Sequence, residues 1–229
     1  MKSVLITGGT VRLGKAIAER LRAEGWRVIT SSHRAGAGAD IVADLSEPRS
    51  AAKLYAATLQ MLDGMPPDAL VNNAALFTGD DAAIAAVNLE APRKLTMLMA
   101  GRETGVGTVV NVLDSVVLGS LESPESEATL NDANPALNDT KQSYLASKRE
   151  LAAFTRSAAA TFAATLRVNG VAPGPVLAPT DVHVKAGETL LDRRPTPSDV
   201  VAAVSYLLGA ESVTGVILPV DAGQHLLEV

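Results

Sequence analysis

Short apolar runs separated by longer alanine-rich segments restrict the fold of this chain more than any other feature. Runs such as Val4-Leu5-Ile6, Ala69-Leu70-Val71, Thr108-Val109-Val110-Asn111-Val112 and Gly215-Val216-Ile217-Leu218 are nearly continuous in apolar character, as expected of strands covered by helices on both faces. Between them, apolar positions recur at three and four, the period of a helix with one buried stripe. The alternation predicts strands near 3–7, 26–31, 69–73, 106–113, 166–171 and 214–219. Helices are predicted near 12–24, 47–62, 80–100, 140–163 and 198–209. Strands alternating with crossover helices make an α/β fold with a doubly wound parallel sheet. The 229 residues suit one such unit, and no Pro/Ser-rich linker or long-period repeat divides them. The expected organisation is a single domain over 1–229 with an acidic loop insertion near 115–143, a stretch carrying Glu122, Glu125, Glu127, Asp132 and Asp139 against one base, Lys141. Loops of that length inside a domain are usually lids or disordered segments.

Composition removes several classes of function. With 20 Lys+Arg against 25 Asp+Glu, the net charge of -5 lacks the basic excess used to hold a phosphate backbone, so no nucleic-acid partner is expected. The absence of cysteine excludes disulfides, thiolate zinc sites and a cysteine nucleophile. His183 and His225 lack metal-ligand spacing, and no metal is expected. The N-terminus carries only Val4-Leu5-Ile6 before Thr7-Gly8-Gly9, without a signal-peptide core or a spanning helix. A soluble, cytoplasmic protein with no membrane partner is the expectation.

The first strand runs through Thr7-Gly8-Gly9-Thr10-Val11-Arg12-Leu13-Gly14 into a helix. Glycines let the backbone turn tightly there, and the helix N-terminus offers free N–H groups to an anion such as a diphosphate. A plain glycine turn is the other reading, because Arg12 stands where a central glycine would be expected. An acidic residue about 20 positions further on would mark a free ribose 2′-hydroxyl, but Ser31-Ser32-His33-Arg34 occupies that place. Guanidinium groups from Arg12 and Arg34, with His33, suit a 2′-phosphate. NADP(H) on a Rossmann-like sheet is therefore expected, against the alternative that His33 and Arg34 form a solvated turn.

Further along, Asp68-Ala69-Leu70-Val71-Asn72-Asn73-Ala74 ends a strand in two amides and a small residue, and Tyr144-Leu145-Ala146-Ser147-Lys148 puts a phenol and an ammonium on one helical face. The lysine is expected to favour the phenolate and so tune Tyr144 for proton transfer. Two exposed polar residues are the alternative.

In order along the whole chain, Thr7-Gly8-Gly9…Gly14, Asn72-Asn73-Ala74, Asn88, Tyr144-xxx-Lys148 and Asn169-Gly170-Val171-Ala172-Pro173-Gly174 resemble the short-chain dehydrogenase/reductase family. The resemblance implies that Tyr144 donates the proton and that Lys148 tunes it and binds the nicotinamide ribose. It implies that Asn88 helps hold a water relay and that Asp44-Leu45 meets the adenine. Gly8, Thr10, Arg12, Leu13, Gly14, Asn73, Ala74, Pro173 and Gly174 complete the cofactor contacts it implies.

Four departures are similar to the pteridine reductases of that family: Arg12 for the middle glycine, His33-Arg34 after the second strand, Asp114 three residues after Asn111, and Phe77 four after Asn73. They imply a pterin stacked on Phe77, with Asp114 exchanging protons with ring nitrogens that a ketone lacks. Core packing is the alternative for Phe77, and for Asp114 the alternative is that Ser115 takes the serine role. The expected activity is NADPH-dependent reduction of a pterin-like C=N. A reductase of ketones or aldehydes is the alternative within enzymes, and a non-catalytic NADP(H)-sensing protein the alternative outside them. Alanine-rich faces near 80–100 and 140–163 would suit a homo-oligomer, dimer or tetramer, or equally a monomer's core.

Overall fold

A computed structural model describes residues 1–103, 105–119, 135–176 and 189–227. Five wholly buried residues make the first strand, β1 (Ser3–Thr7), and α1 (Arg12–Ala23) follows it, burying Gly14, Ile17, Ala18 and Leu21 at helical spacing. β2 (Arg27–Ser32), β3 (Ile41–Val42), α2 (Ser50–Met61) and β4 (Ala69–Asn72) complete the first half. The second half runs through α3 (Asp81–Ala85), a π-helical turn (Ala86–Glu90), α4 (Ala91–Ala100), β5 (Gly107–Val112) and α5 (Val116–Gly119). It ends with α6 (Pro135–Thr161), β6 (Leu166–Pro173), α7 (Pro197–Gly209) and β7 (Ile217–Val220).

All seven strands are parallel, in the order β3-β2-β1-β4-β5-β6-β7. Alternate side chains leave opposite faces of a strand, and the two halves of the core divide accordingly. Val4, Ile6, Val71 and Val110 pack with Ile17, Leu21, Val204 and Leu207 of α1 and α7. Leu5, Leu70 and Val109 pack on the other face with Leu54, Leu95 and Met99 of α2 and α4. The strand order reverses between β1 and β4, which opens a crevice at their carboxyl ends.

Three expectations need correction. A seventh strand, β3, was unreadable because only Ile41 and Val42 pair with β2. Its approach is set by Asp40, whose Oδ2 accepts from Thr30 N–H and Oγ1, each at 2.8 Å. The helix expected near 80–100 is broken by the π-helical turn, whose widened backbone carries Asn88 inward to full burial. The ends of the expected acidic loop are helical, in α5 and the first turns of α6, while 120–134 lie outside the described residues, as do 177–188. Among the described residues, no helix is long and apolar enough to cross a membrane.

Candidate active site

The glycine loop at the end of β1 is built by contacts that leave no room for side chains. Gly8 has φ +64, and a Cβ at Gly14 would overlap the Gly8 carbonyl oxygen and stand 2.5 Å from Asn73 Nδ2. Asn73 Nδ2 donates to the carbonyls of Thr7 and Gly8 at 3.0 and 3.1 Å. Thr7 Oγ1 accepts from the N–H groups of Asn73 and Ala74, each at 3.0 Å. The expected cofactor residues Asn73 and Ala74 thus hold the loop as well as border it. Arg12 takes a left-handed conformation, φ 48, and Leu13 packs partly buried on the core.

Residues here fit a dinucleotide diphosphate. The N-cap of α1, Val11, supplies no side-chain acceptor, which leaves the first amides of a 12-residue helix open to an anion. Thr10 Oγ1 is closed to solvent without a hydrogen-bond partner among the described residues, a state that buried hydroxyls rarely keep unless a ligand completes them.

At the end of β2, Arg34 Nε donates to His33 Nε2 at 3.2 Å, and Arg34 N–H donates to Ser32 Oγ at the same distance. His33 and Arg34 are both exposed, as is Arg12 at the head of α1. Asp44 follows β3 on the surface. Its Oδ1 accepts from Ser46 Oγ at 2.6 Å and Ser46 N–H at 3.0 Å, which holds its carboxyl below the usual range. Leu45 is buried in the core below.

Tyr144, Asp114 and Lys148 meet at the carboxyl end of β5. Tyr144 OH donates to Asp114 Oδ2 at 2.9 Å, while Asp114 Oδ1 accepts from Val116 N–H at 3.1 Å. Lys148 is buried, donates from Nζ to the Val112 carbonyl at 2.8 Å, and stands 5.8 Å from the centre of the Tyr144 ring. Burial lowers the Lys148 ammonium to about 8, opposed by the Asp114 carboxylate. The expected depression of Tyr144 is reversed in this structure: burial first, then the charge and hydrogen bond of Asp114, push the phenol upward. The phenol is therefore neutral, with its proton directed at the Asp114 carboxylate.

Phe77 belongs to the site's rim. It is 51% exposed, and its ring meets that of Tyr144 edge-on, with centroids 4.9 Å apart and planes at 62°. Core packing is thereby ruled out. The count of residues from Asn111 also selects Asp114 over Ser115 as the partner of Tyr144, since Ser115 is 1% exposed and its hydroxyl has no partner.

Asn88 ties these parts together. Its Oδ1 accepts from Leu76 N–H at 2.8 Å, and its Nδ2 donates to the Leu76 carbonyl at 2.9 Å and to Ser147 Oγ at 3.2 Å. Ser147, which sequence reasoning passed over, in turn donates to the Tyr144 carbonyl at 2.6 Å. Its position three residues after Tyr144, facing the same buried side, was the available signal. Asn111 was used in the sequence only to count from, yet it accepts from Asn72 Nδ2 at 2.8 Å and donates to Thr155 Oγ1 at 2.9 Å, joining β4, β5 and α6. Pro173 ends β6 with Gly174 just past it, and the Pro173 carbonyl accepts from Ser115 N–H at 2.9 Å.

A family model described as "Enoyl-(Acyl carrier protein) reductase" matches residues 128–225. The chain is 32% identical to the granaticin polyketide synthase putative ketoacyl reductase 2 of Streptomyces violaceoruber, over 97% of this chain and 96% of that one. It is 28% identical to pteridine reductase 1 of Leishmania tarentolae, again over 97% and 96%. Among solved structures, FolM alternative dihydrofolate reductase 1 from Brucella canis, complexed with NADP, superposes with a TM-score of 0.79 at 30% identity, covering 98% of this chain and 94% of that one. A ketoacyl reductase relative this similar over nearly the full length, together with a helix, α6, that sets Tyr144 and Lys148 side by side, establishes that the chain belongs to the short-chain dehydrogenase/reductase family.

Proposed function

We propose that this protein is an NADPH-dependent reductase that delivers hydride to a C=N bond of a flat, pterin-like heterocycle. The observation that carries the reading is the Tyr144–Asp114 hydrogen bond beside the half-exposed ring of Phe77. The likeness to a pteridine reductase and to the NADP complex of FolM supports it.

Bound NADPH would supply the hydride to the ring carbon. The glycine loop with Thr10 would hold its diphosphate, and Arg12, His33 and Arg34 its 2′-phosphate. Asp44 and Leu45 would border the adenine, with Pro173 and Gly174 along the nicotinamide. Tyr144 enters the reaction neutral and gives its proton to the ring nitrogen as the carbon is reduced. Lys148 stabilises the phenolate as it forms, and solvent returns the proton afterwards. Asp114 accepts N–H groups from the heterocycle once Tyr144 has turned to the substrate. Phe77 presents a face for stacking.

The ketone or aldehyde reductase is the second reading, favoured by the ketoacyl reductase relative and by the partnerless Ser115 hydroxyl beside Asp114. Steady-state turnover of the Phe77→Leu variant separates the two. Loss of an aromatic platform worth about 1–3 kcal/mol raises KM for a dihydropterin roughly tenfold or more under the first reading. An unchanged KM for every accepted substrate would support the second.

A further inference from the structure

A turn beyond the last strand forms part of the ligand-binding edge, and the reaction proposed above makes no use of it. β7 ends at Val220, and the next residue, Asp221, is 2% exposed. Its Oδ1 accepts from Gly223 N–H at 3.0 Å, and its Oδ2 from His225 N–H at 2.8 Å, with His225 Nδ1 2.7 Å away. Ala222 and Gly223 are both left-handed, with φ 56 and 82. The chain therefore doubles back, and the turn Gln224–Leu226 is laid against α5, which begins two residues after Asp114. A Cβ at Gly174, just past the end of β6, would lie 2.8 Å from Asp221 Cβ and 3.3 Å from Gln224 Oε1. The clamp of Asp221 thus fixes Gln224 at the carboxyl ends of β6 and β7, the edge where ligands bind in such sheets.

Gln224 Oε1 is closed to solvent and has no hydrogen-bond partner among the described residues. Buried amide oxygens are nearly always satisfied, so this one calls for a donor that the described residues do not supply. We propose that Gln224 is a specificity-determining residue, its Oε1 accepting an N–H group carried by a planar ring bound at the carboxyl end of β6. The inference rests on the nicotinamide-dependent reading above. The donor is either the carboxamide of the nicotinamide or an amino group of the substrate, and simple ketones offer neither.

Gln224→Met keeps the length of the side chain and removes the acceptor, whereas Gln224→Glu keeps an oxygen in its place. Calorimetric binding of NADPH is compared with binding of its acetylpyridine analogue, in which a methyl replaces the carboxamide nitrogen. In parallel, KM is compared for an amino-bearing dihydropterin and for the same ring with oxygen in place of the amino group. Wild type is expected to prefer the N–H-bearing member of one pair by about fivefold, the worth of one neutral hydrogen bond. Gln224→Met is expected to erase that preference and Gln224→Glu to retain it, and the pair that responds names the donor. Preferences unchanged in Gln224→Met would overturn the assignment while leaving the reductase standing. Wild type that binds neither nucleotide would overturn the nicotinamide-dependent reading, and the assignment with it.

Discussion

A phenol buried beside a carboxylate releases its proton reluctantly, and Tyr144 is kept in that state by the 2.9 Å bond to Asp114. Replacing it with phenylalanine is expected to lower kcat at least about a hundredfold, with NADPH affinity little changed in a fluorescence titration. Retained turnover would remove Tyr144 from the proton path. Lys148 carries a different cost. Its folded-state value of about 8 lies below the 10.5 of a free lysine, because burial penalises the charge. Between those values the unfolded chain binds more protons than the folded one, so stability rises with pH across that window and the burden is full below it. Lys148→Met is accordingly expected to melt about 5 °C higher than wild type at pH 7 and to be inactive. The gap should narrow toward pH 10, and a gap that stays constant with pH would show that Lys148 is not the titrating group.

At the scale of elements, the loop between β1 and α1 and the turn after β4 form one unit, because Asn73 bonds to both Thr7 and Gly8. Gly14 lies inside α1, where alanine would ordinarily gain about 1 kcal/mol. Its Cβ would instead overlap backbone that cannot retreat, at a cost of about 3 kcal/mol. Gly14→Ala is thus expected to lower the melting temperature and weaken NADPH binding together, whereas Gly209→Ala, in α7 with open space around it, should raise the melting temperature slightly and leave NADPH binding unaltered. Strands and helices with strong periodicity, such as β5 and α7, were legible from spacing alone. Those set by tertiary context were not: β3 has two residues and no period, and the π-helical turn differs from a helix by a register that hydrophobicity does not encode. The candidate site was readable as residue types in order, since Tyr144, Lys148, Asp114 and Phe77 do converge. Their electrostatics were not, because the direction of the Tyr144 shift depends on how deeply it is buried and which of two neighbours it touches.

Across the whole molecule, the proposed function puts the nucleotide on one side of the sheet, from the glycine loop to Arg34, and the reaction on another, at the ends of β5 and β6. The reading assigns coenzyme preference to the first side alone. Arg34→Ala is expected to raise the NADPH dissociation constant about tenfold, the loss of one charge-assisted contact, and to leave NADH binding as it was. Equal effects on both coenzymes would move the 2′-phosphate elsewhere. The claim that joins the two sides is tested most directly by following oxidation of NADPH with a dihydropterin, a dihydrofolate and a panel of simple ketones, each repeated with NADH. The account predicts turnover of the reduced pterins with NADPH, and little with NADH or with the ketones. Ketones turned over while every pterin is silent, or NADH serving as well as NADPH, would contradict it.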